Sequence, residues 1–156
     1  KANAMTAAWA TGYDFGQIFV SMGDHLTKKN ILAKKAFTIA FATKETIEYA
    51  DYFGLVSGTQ QDKIAKAKVH VSKAKFVNAP IIEEFPVVLE CELVSLKNGN
   101  LIGNIVNTSV NSKYCKGSKI DTDKLNLVVY DMATNSYKTI KSKIAAAFSC
   151  GKKLTK

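Results

Sequence analysis

Arginine is missing altogether: all 22 basic residues of the chain are lysines. Sequence-specific nucleic-acid readers rely on arginine for bidentate contacts to guanine and for stacking, so a nucleic-acid partner is not expected. Cysteine is scarce. Cys91, Cys115 and Cys150 form no C-x-x-C pair, and the odd count points to free thiols in a reducing, cytoplasmic compartment. The two histidines, His25 and His70, make no HExxH pattern, which leaves no candidate metal site. Only Pro80 and Pro86 interrupt the chain, with no Pro/Gly/Ser linker and no internal repeat, so one domain over residues 1–156 is expected. Apolar runs such as Ile144 to Phe148 are too short to span a bilayer, and no signal-peptide pattern occurs, so no membrane association is expected. The glycine signatures G-x-G-x-x-G and G-x-x-x-x-G-K-[ST] are absent, as is the G-x-S-x-G elbow; the usual dinucleotide, P-loop and hydrolase motifs are therefore excluded.

What is present is globular in composition, 47% hydrophobic and 22% charged over 156 residues. The formal charge is +9. Lysines 63, 66, 68, 73 and 75 have no acid between them, and neither do the lysines from Lys138 to Lys156. Such runs are usually a solvated face, but the excess also suits an anionic partner, from a phosphorylated cofactor to an acidic protein.

Turn-bounded or alternating runs of β-branched and aromatic residues predict strands at Gln17–Met22, Ala36–Ala42, Val87–Leu96, Leu101–Val110 and Leu127–Tyr130. In Val87–Leu96 one face carries Val87, Leu89, Cys91 and Leu93 and the other Glu90 and Glu92, the pattern of a half-exposed strand. The tetrad Lys97-Asn98-Gly99-Asn100 carries the Asn-Gly signal of a tight hairpin. Short helices are expected in KETIEYADYF with Thr43 as cap, in LTKKNILAKK with Thr27 as cap, and around Asp62–Lys68. Strands in sequential hairpins without βαβ alternation indicate a mainly β or α+β, barrel-like antiparallel domain with a few short helices.

Three polar clusters beside predicted turns could carry chemistry: Asn3 to Trp9, Ser21 to Asn30, and Ser57 to Lys63. Each alone reads as a loop or cap. Together their hydroxyls, helix-start N–H groups and a lysine supply what a phosphate monoester needs, while Ala7 and Ala8 would let a flat ring approach the backbone closely. The residues by themselves reach no further than a phosphate-bearing cofactor.

The blocks KANAMTAAW, IFVSMGDHLTKKNILAKKAFTIAFAT, YADYFGLVSGTQQDKIAKA and APIIEEFPVVLECELV, continuing through KIDTDKLNLVVYD to AFSCGKKL, resemble in order the flavin reductase-like family, and within it the flavoredoxin-like branch. That resemblance implies an FMN-binding split β-barrel, Greek-key-like and antiparallel. It implies that Asn3, Met5, Thr6, Ala7, Ala8 and Trp9 line the flavin and its ribityl chain. Ser21, Met22, His25, Thr27 and Asn30 would surround the ring edge and phosphate, and Ser57, Gly58 and Lys63 would close the phosphate end, with Lys63 as the cation. The implied activity is an oxidoreductase passing electrons from NAD(P)H through FMN. The alternative is an electron carrier reduced by an acidic redox partner, without a nicotinamide site. A homodimer is also implied.

Two departures from the family pattern stand out. Relatives begin with an apolar strand and a turn ending at the equivalent of Lys1-Ala2-Asn3, so the first barrel strand is expected to be missing from this sequence. Where the family carries Y-x-x-L-G-x-x-x-G, this chain has Tyr137, Lys141 and Ala145, which bears on whether a nicotinamide reaches the flavin.

Overall fold

The computed structural model describes residues 1–155; Lys156, the last of the C-terminal lysines, lies outside the described residues. Among the described residues there are eleven strands and four short α-helices, with most strands following one another directly. The strands are β1 (Ala10–Asp14), β2 (Gln17–Ser21), β3 (Ala36–Ala40), β4 (Val71–Lys73), β5 (Pro80–Ile82), β6 (Val87–Lys97), β7 (Asn100–Val110), β8 (Cys115–Lys116), β9 (Lys119–Ile120), β10 (Val128–Asp131) and β11 (Ser136–Thr139). The helices are α1 (Leu26–Lys34), α2 (Ile47–Leu55), α3 (Lys63–Ala67) and α4 (Thr122–Leu125).

Five strands form the main sheet in the order β1-β2-β7-β6-β3, and every pairing in it is antiparallel. Its spine is the hairpin of β6 and β7, closed by the expected turn: Lys97 pairs with Asn100, while Asn98 (φ 52°) and Gly99 (φ 80°) both occupy the left-handed region that an Asn-Gly turn supplies at little strain. Alternate residues of these strands enter one core of Ile18, Val20, Met22, Ile31, Phe37, Leu89, Cys91 and Leu101. The approach is close. A Cβ on Gly103 would lie 2.4 Å from the Phe37 ring, so only glycine fits there.

The five expected strands are all present with ends shifted by one or two residues. Val87–Leu96, however, is exposed on one face only in its second half, where Glu92 and Val94 face out; Val87 through Cys91 are all buried, and Glu90 is 1% exposed. The correction has a local cause. The loop between β4 and β5 covers the second face, and the Glu90 carboxylate accepts from the Phe76 N–H at 2.7 Å and from Asn107 Nδ2 at 2.9 Å. Two caps are also corrected. The residue before α2 is Thr46, whose hydroxyl accepts from the Thr43 N–H at 2.9 Å. The residue before α1 is His25, and Thr27 lies inside the first turn. The helix near Asp62 forms as expected, with the Asp62 carboxylate accepting from the Ala65 N–H at 3.1 Å.

Candidate cofactor site

The first nine residues run without regular structure until Trp9, whose carbonyl accepts from the Ser21 N–H at 3.0 Å and sets the register of β1 on β2. Asn3 donates through Nδ2 to the Thr27 hydroxyl of α1 at 2.8 Å. The same Asn3 side chain lies against Gly58, where a Cβ would come within 2.1 Å of Oδ1. Three segments far apart in sequence thus meet at one contact. Around it, Asn30 donates to the Lys1 carbonyl at 3.1 Å, and the Lys1 ammonium pairs with Asp62 at 2.7 Å.

Helix α1 opens toward this cluster with His25 at its cap position in extended conformation and no side-chain capping bond. The N–H groups of a first turn are partly positive and lack intrahelical partners, so the end is disposed toward an anion. Ser57 supplies a turn: its carbonyl accepts from the N–H groups of Gln60 and Gln61, each at 3.1 Å, and its hydroxyl lies 2.8 Å from that of Thr59.

Helix α2 holds the cluster from behind. The Thr6 hydroxyl donates to the Ala50 carbonyl, and the missing side chain of Gly54 leaves Thr6 room, since a Cβ there would sit 3.2 Å from Thr6. Lys63 donates from Nζ to the Phe53 carbonyl at 2.7 Å and is 4% exposed. Phe53 lies in the last turn of α2, where carbonyls have no helical partner, so Lys63 closes that end. Burial pushes its ammonium below the ordinary lysine range. Lys63 is therefore an internal anchor in this structure and does not present a free cation to solvent.

The other expected site residues divide. Asn3, Thr27 and Asn30 line a cleft of about 480 Å³ that runs between α1, β3 and the β4–β5 hairpin. Met5 packs partly against the core, and Met22 is buried within it; the Met22 side chain is thus apart from the Asn3–Thr27–Gly58 contact. Ala7, Ala8 and Trp9 are exposed, Ser21 is half-buried, and His25 is exposed beside Gly23. Sequence reasoning missed the contribution of α2. Gly54 inside a helix was the available signal, because glycine weakens helix interiors and so marks a place where something packs closely. Among the described residues, no group of His, Cys, Asp and Glu could hold a metal ion, and no helix is long and apolar enough to cross a membrane.

The flavin reductase like domain model matches residues 1–130, and the chain belongs to the flavin reductase-like family. Its branch is that of the flavoredoxins. The structure superposes on flavoredoxin of Desulfovibrio vulgaris (Miyazaki F) with a TM-score of 0.90 and 29% identity, over 96% of this chain and 84% of that one. Flavoredoxin from Methanosarcina acetivorans gives 0.87 and 28%, over 97% and 84%. The FMN-binding domain of a flavin reductases-like enzyme from Shewanella baltica OS155 gives 0.82 at 16% identity, over 92% and 82%, a likeness of fold alone. No curated protein matches the chain. The antiparallel sheet with few short helices is the FMN-binding split barrel of this family, as the resemblance implied. The residues present fit FMN: an uncapped helix start, the Asn3 and Thr27 polar groups, and a Gly58 backbone that no side chain shields from Asn3.

Proposed function

We propose that the protein is an FMN-dependent oxidoreductase that passes electrons from NAD(P)H to an acceptor. The observation that carries this reading is the meeting of Asn3, Thr27 and Gly58 in a chain of the flavin reductase-like family. Thr27, Asn30 and Ser57, with the N–H groups opening α1, would hold the phosphate. Asn3, Met5, Thr6, Ala7 and Ala8 would line the ribityl chain and ring, with Trp9, Ser21 and His25 around the ring edge and Met22 supporting them from the core. Lys63 acts here by fixing the end of α2, which in turn holds Thr6 through the Ala50 carbonyl. FMN, when bound, supplies the redox chemistry, and the protein supplies binding, orientation and shielding.

Two assembly features go with this reading. The chain works as a homodimer, an arrangement supported by the exposure of Trp9, Phe15, Ile144 and Phe148, which a second copy would cover. The free thiols suit a reducing, cytoplasmic setting.

A second reading, an FMN carrier reduced by an acidic partner protein, is favoured by two observations: the flavoredoxin likeness at 28–29% identity, and an exposed Lys141 at the position where the family resemblance implies glycine. The test is direct. Apoprotein is titrated with FMN, then the holoprotein is mixed anaerobically with NADH or NADPH. Rapid loss of flavin absorbance supports the reductase, and FMN binding without bleaching supports the carrier. A chain that refuses FMN refutes both. Gly58→Val should weaken FMN binding at least ~10-fold by driving the Asn3 side chain off Thr27, an energy of about 1.4 kcal/mol or more; unchanged affinity would remove Gly58 from the site.

A further inference from the structure

The loop joining β4 to β5 is built with unusual care for a surface segment. Ala74, Val77 and Ala79 point inward and are buried with Ala36. Ala74 donates to the Ala79 carbonyl at 2.9 Å, and Ala79 to the Val77 carbonyl at 3.0 Å. The Phe76 N–H is held at 2.7 Å by the buried carboxylate of Glu90. Burying a carboxylate is unfavourable unless hydrogen bonds compensate it, and here both oxygens are engaged, one by Phe76 and one by Asn107. The result of this anchoring is that Phe76 stands outward, 55% exposed, with the Lys75 ammonium 5.3 Å from its ring centre.

Lysines surround that ring. Lys34, Lys35, Phe76 and Asn78 line a hollow of about 380 Å³, whose single acid is the exposed Glu92. Lys73 and Lys75 flank it along the chain. Among the described residues none of Lys34, Lys35, Lys73 and Lys75 enters an ion pair; the four pairs of the structure lie elsewhere. Lys34 and Asn78 also line the cleft that contains Asn3, Thr27 and Asn30, so the hollow adjoins the proposed cofactor site.

We propose that Phe76 and the four lysines Lys34, Lys35, Lys73 and Lys75 form a docking face for an acidic redox protein that exchanges electrons with the bound FMN; this rests on the FMN reading above. Unpaired lysines steer an acidic partner and set its approach, and a rigidly presented aromatic at the centre supplies the desolvated contact that charges alone do not. The probe is a reduced acidic [2Fe–2S] ferredoxin, mixed with FMN-loaded protein in a stopped-flow instrument at low and high salt. The quadruple variant Lys34→Glu, Lys35→Glu, Lys73→Glu, Lys75→Glu should slow flavin reduction at least ~10-fold at low salt and lose most of its salt dependence. Phe76→Ser should slow the reaction several-fold at both salt levels, because an apolar contact is not screened. A control variant with Lys138, Lys143, Lys152 and Lys153 changed to Glu should retain the wild-type rate.

FMN titration of every variant separates the two layers of the reading. If the wild type fails to bind FMN, the proposed function fails. If all variants bind FMN alike, the docking face is overturned when the two quadruple variants react equally, or when the wild-type flavin takes no electrons from ferredoxin.

Discussion

In β2, β6 and β7 the large apolar side chains are inside: Ile18, Val20, Leu89 and Leu101 are each no more than 7% exposed. In residues 140–155 the same kinds of side chain face outward, with Ile144, Phe148 and Leu154 at 98%, 100% and 81% exposure. The two regions do not differ much in residue type. They differ in whether another element returns to cover them: β2, β6 and β7 each have one face packed into the core, whereas among the described residues the segment after β11 forms only a short 3₁₀ turn at Lys152–Leu154. Burial follows topology as much as hydrophobicity.

The sharpest way to test that contrast is chemical. Cys91 has no exposure, and burial, then the neighbouring Glu90 charge, pushes its thiol up to about 12, while Cys150 is exposed. In native protein a thiol reagent should modify Cys150 at the rate of a free thiol and Cys91 at least ~10³-fold more slowly, because Cys91 reacts only after opening against the stability of the domain. Equal rates would show that the sheet core is not closed.

Truncation should divide the regions next. Leu101→Ala, at a side chain 2% exposed, is expected to lower stability by about 2–5 kcal/mol in urea unfolding. Ile144→Ala in the C-terminal segment should change monomer stability by no more than about 0.5 kcal/mol, and should weaken self-association instead if that surface meets a second copy. Comparable losses for both would erase the distinction drawn here.

The smallest effect is in the pH dependence of stability, where two groups act with opposite sign. Burial lowers the Lys63 pKa in the fold, so near and below the ordinary lysine range the unfolded chain binds the proton more tightly. Stability should therefore rise as pH increases toward 10.5. Tyr137 donates to Asp51 at 2.6 Å, and that bond, ahead of burial, pushes its phenol up to about 12. Its contribution is present below the ordinary tyrosine range and should be lost as pH climbs from 10 toward 12; the group is well exposed, so solvent screening keeps the loss small. Lys63→Met should remove the rise and Tyr137→Phe the fall, as read from urea midpoints between pH 8 and 11. A Lys63→Met profile identical to wild type would mean that the ammonium is not buried as described.

Much of the sheet was legible beforehand. The Asn98-Gly99 turn locates itself through backbone chemistry, and the β-branched runs of β2, β3, β6 and β7 have no good helical alternative. β1 was not, since all five of its residues are exposed and no apolar alternation marks it. Glu90 misled because a glutamate in a strand reads as a solvent-facing residue; its donors come from the loop carrying Phe76 and from Asn107 on β7. In the site, Thr27 and Asn3 were readable as polar candidates. The inward turn of Lys63 was not, because a lysine on a short helix does not show in sequence which carbonyl it will reach.

Sequence alone settled the local matters: an antiparallel sheet, the position of its central hairpin, a lysine-only positive charge, and ordered blocks that place the chain in its family. These follow from interactions between residues close in the chain, or from composition. Tertiary structure decided which lysine is an anchor and which stand free, which carboxylate is buried, and that Asn3, Thr27 and Gly58 touch. Those outcomes depend on groups 10 or more residues apart coming into contact, and only the closing of one element or loop upon another brings them there.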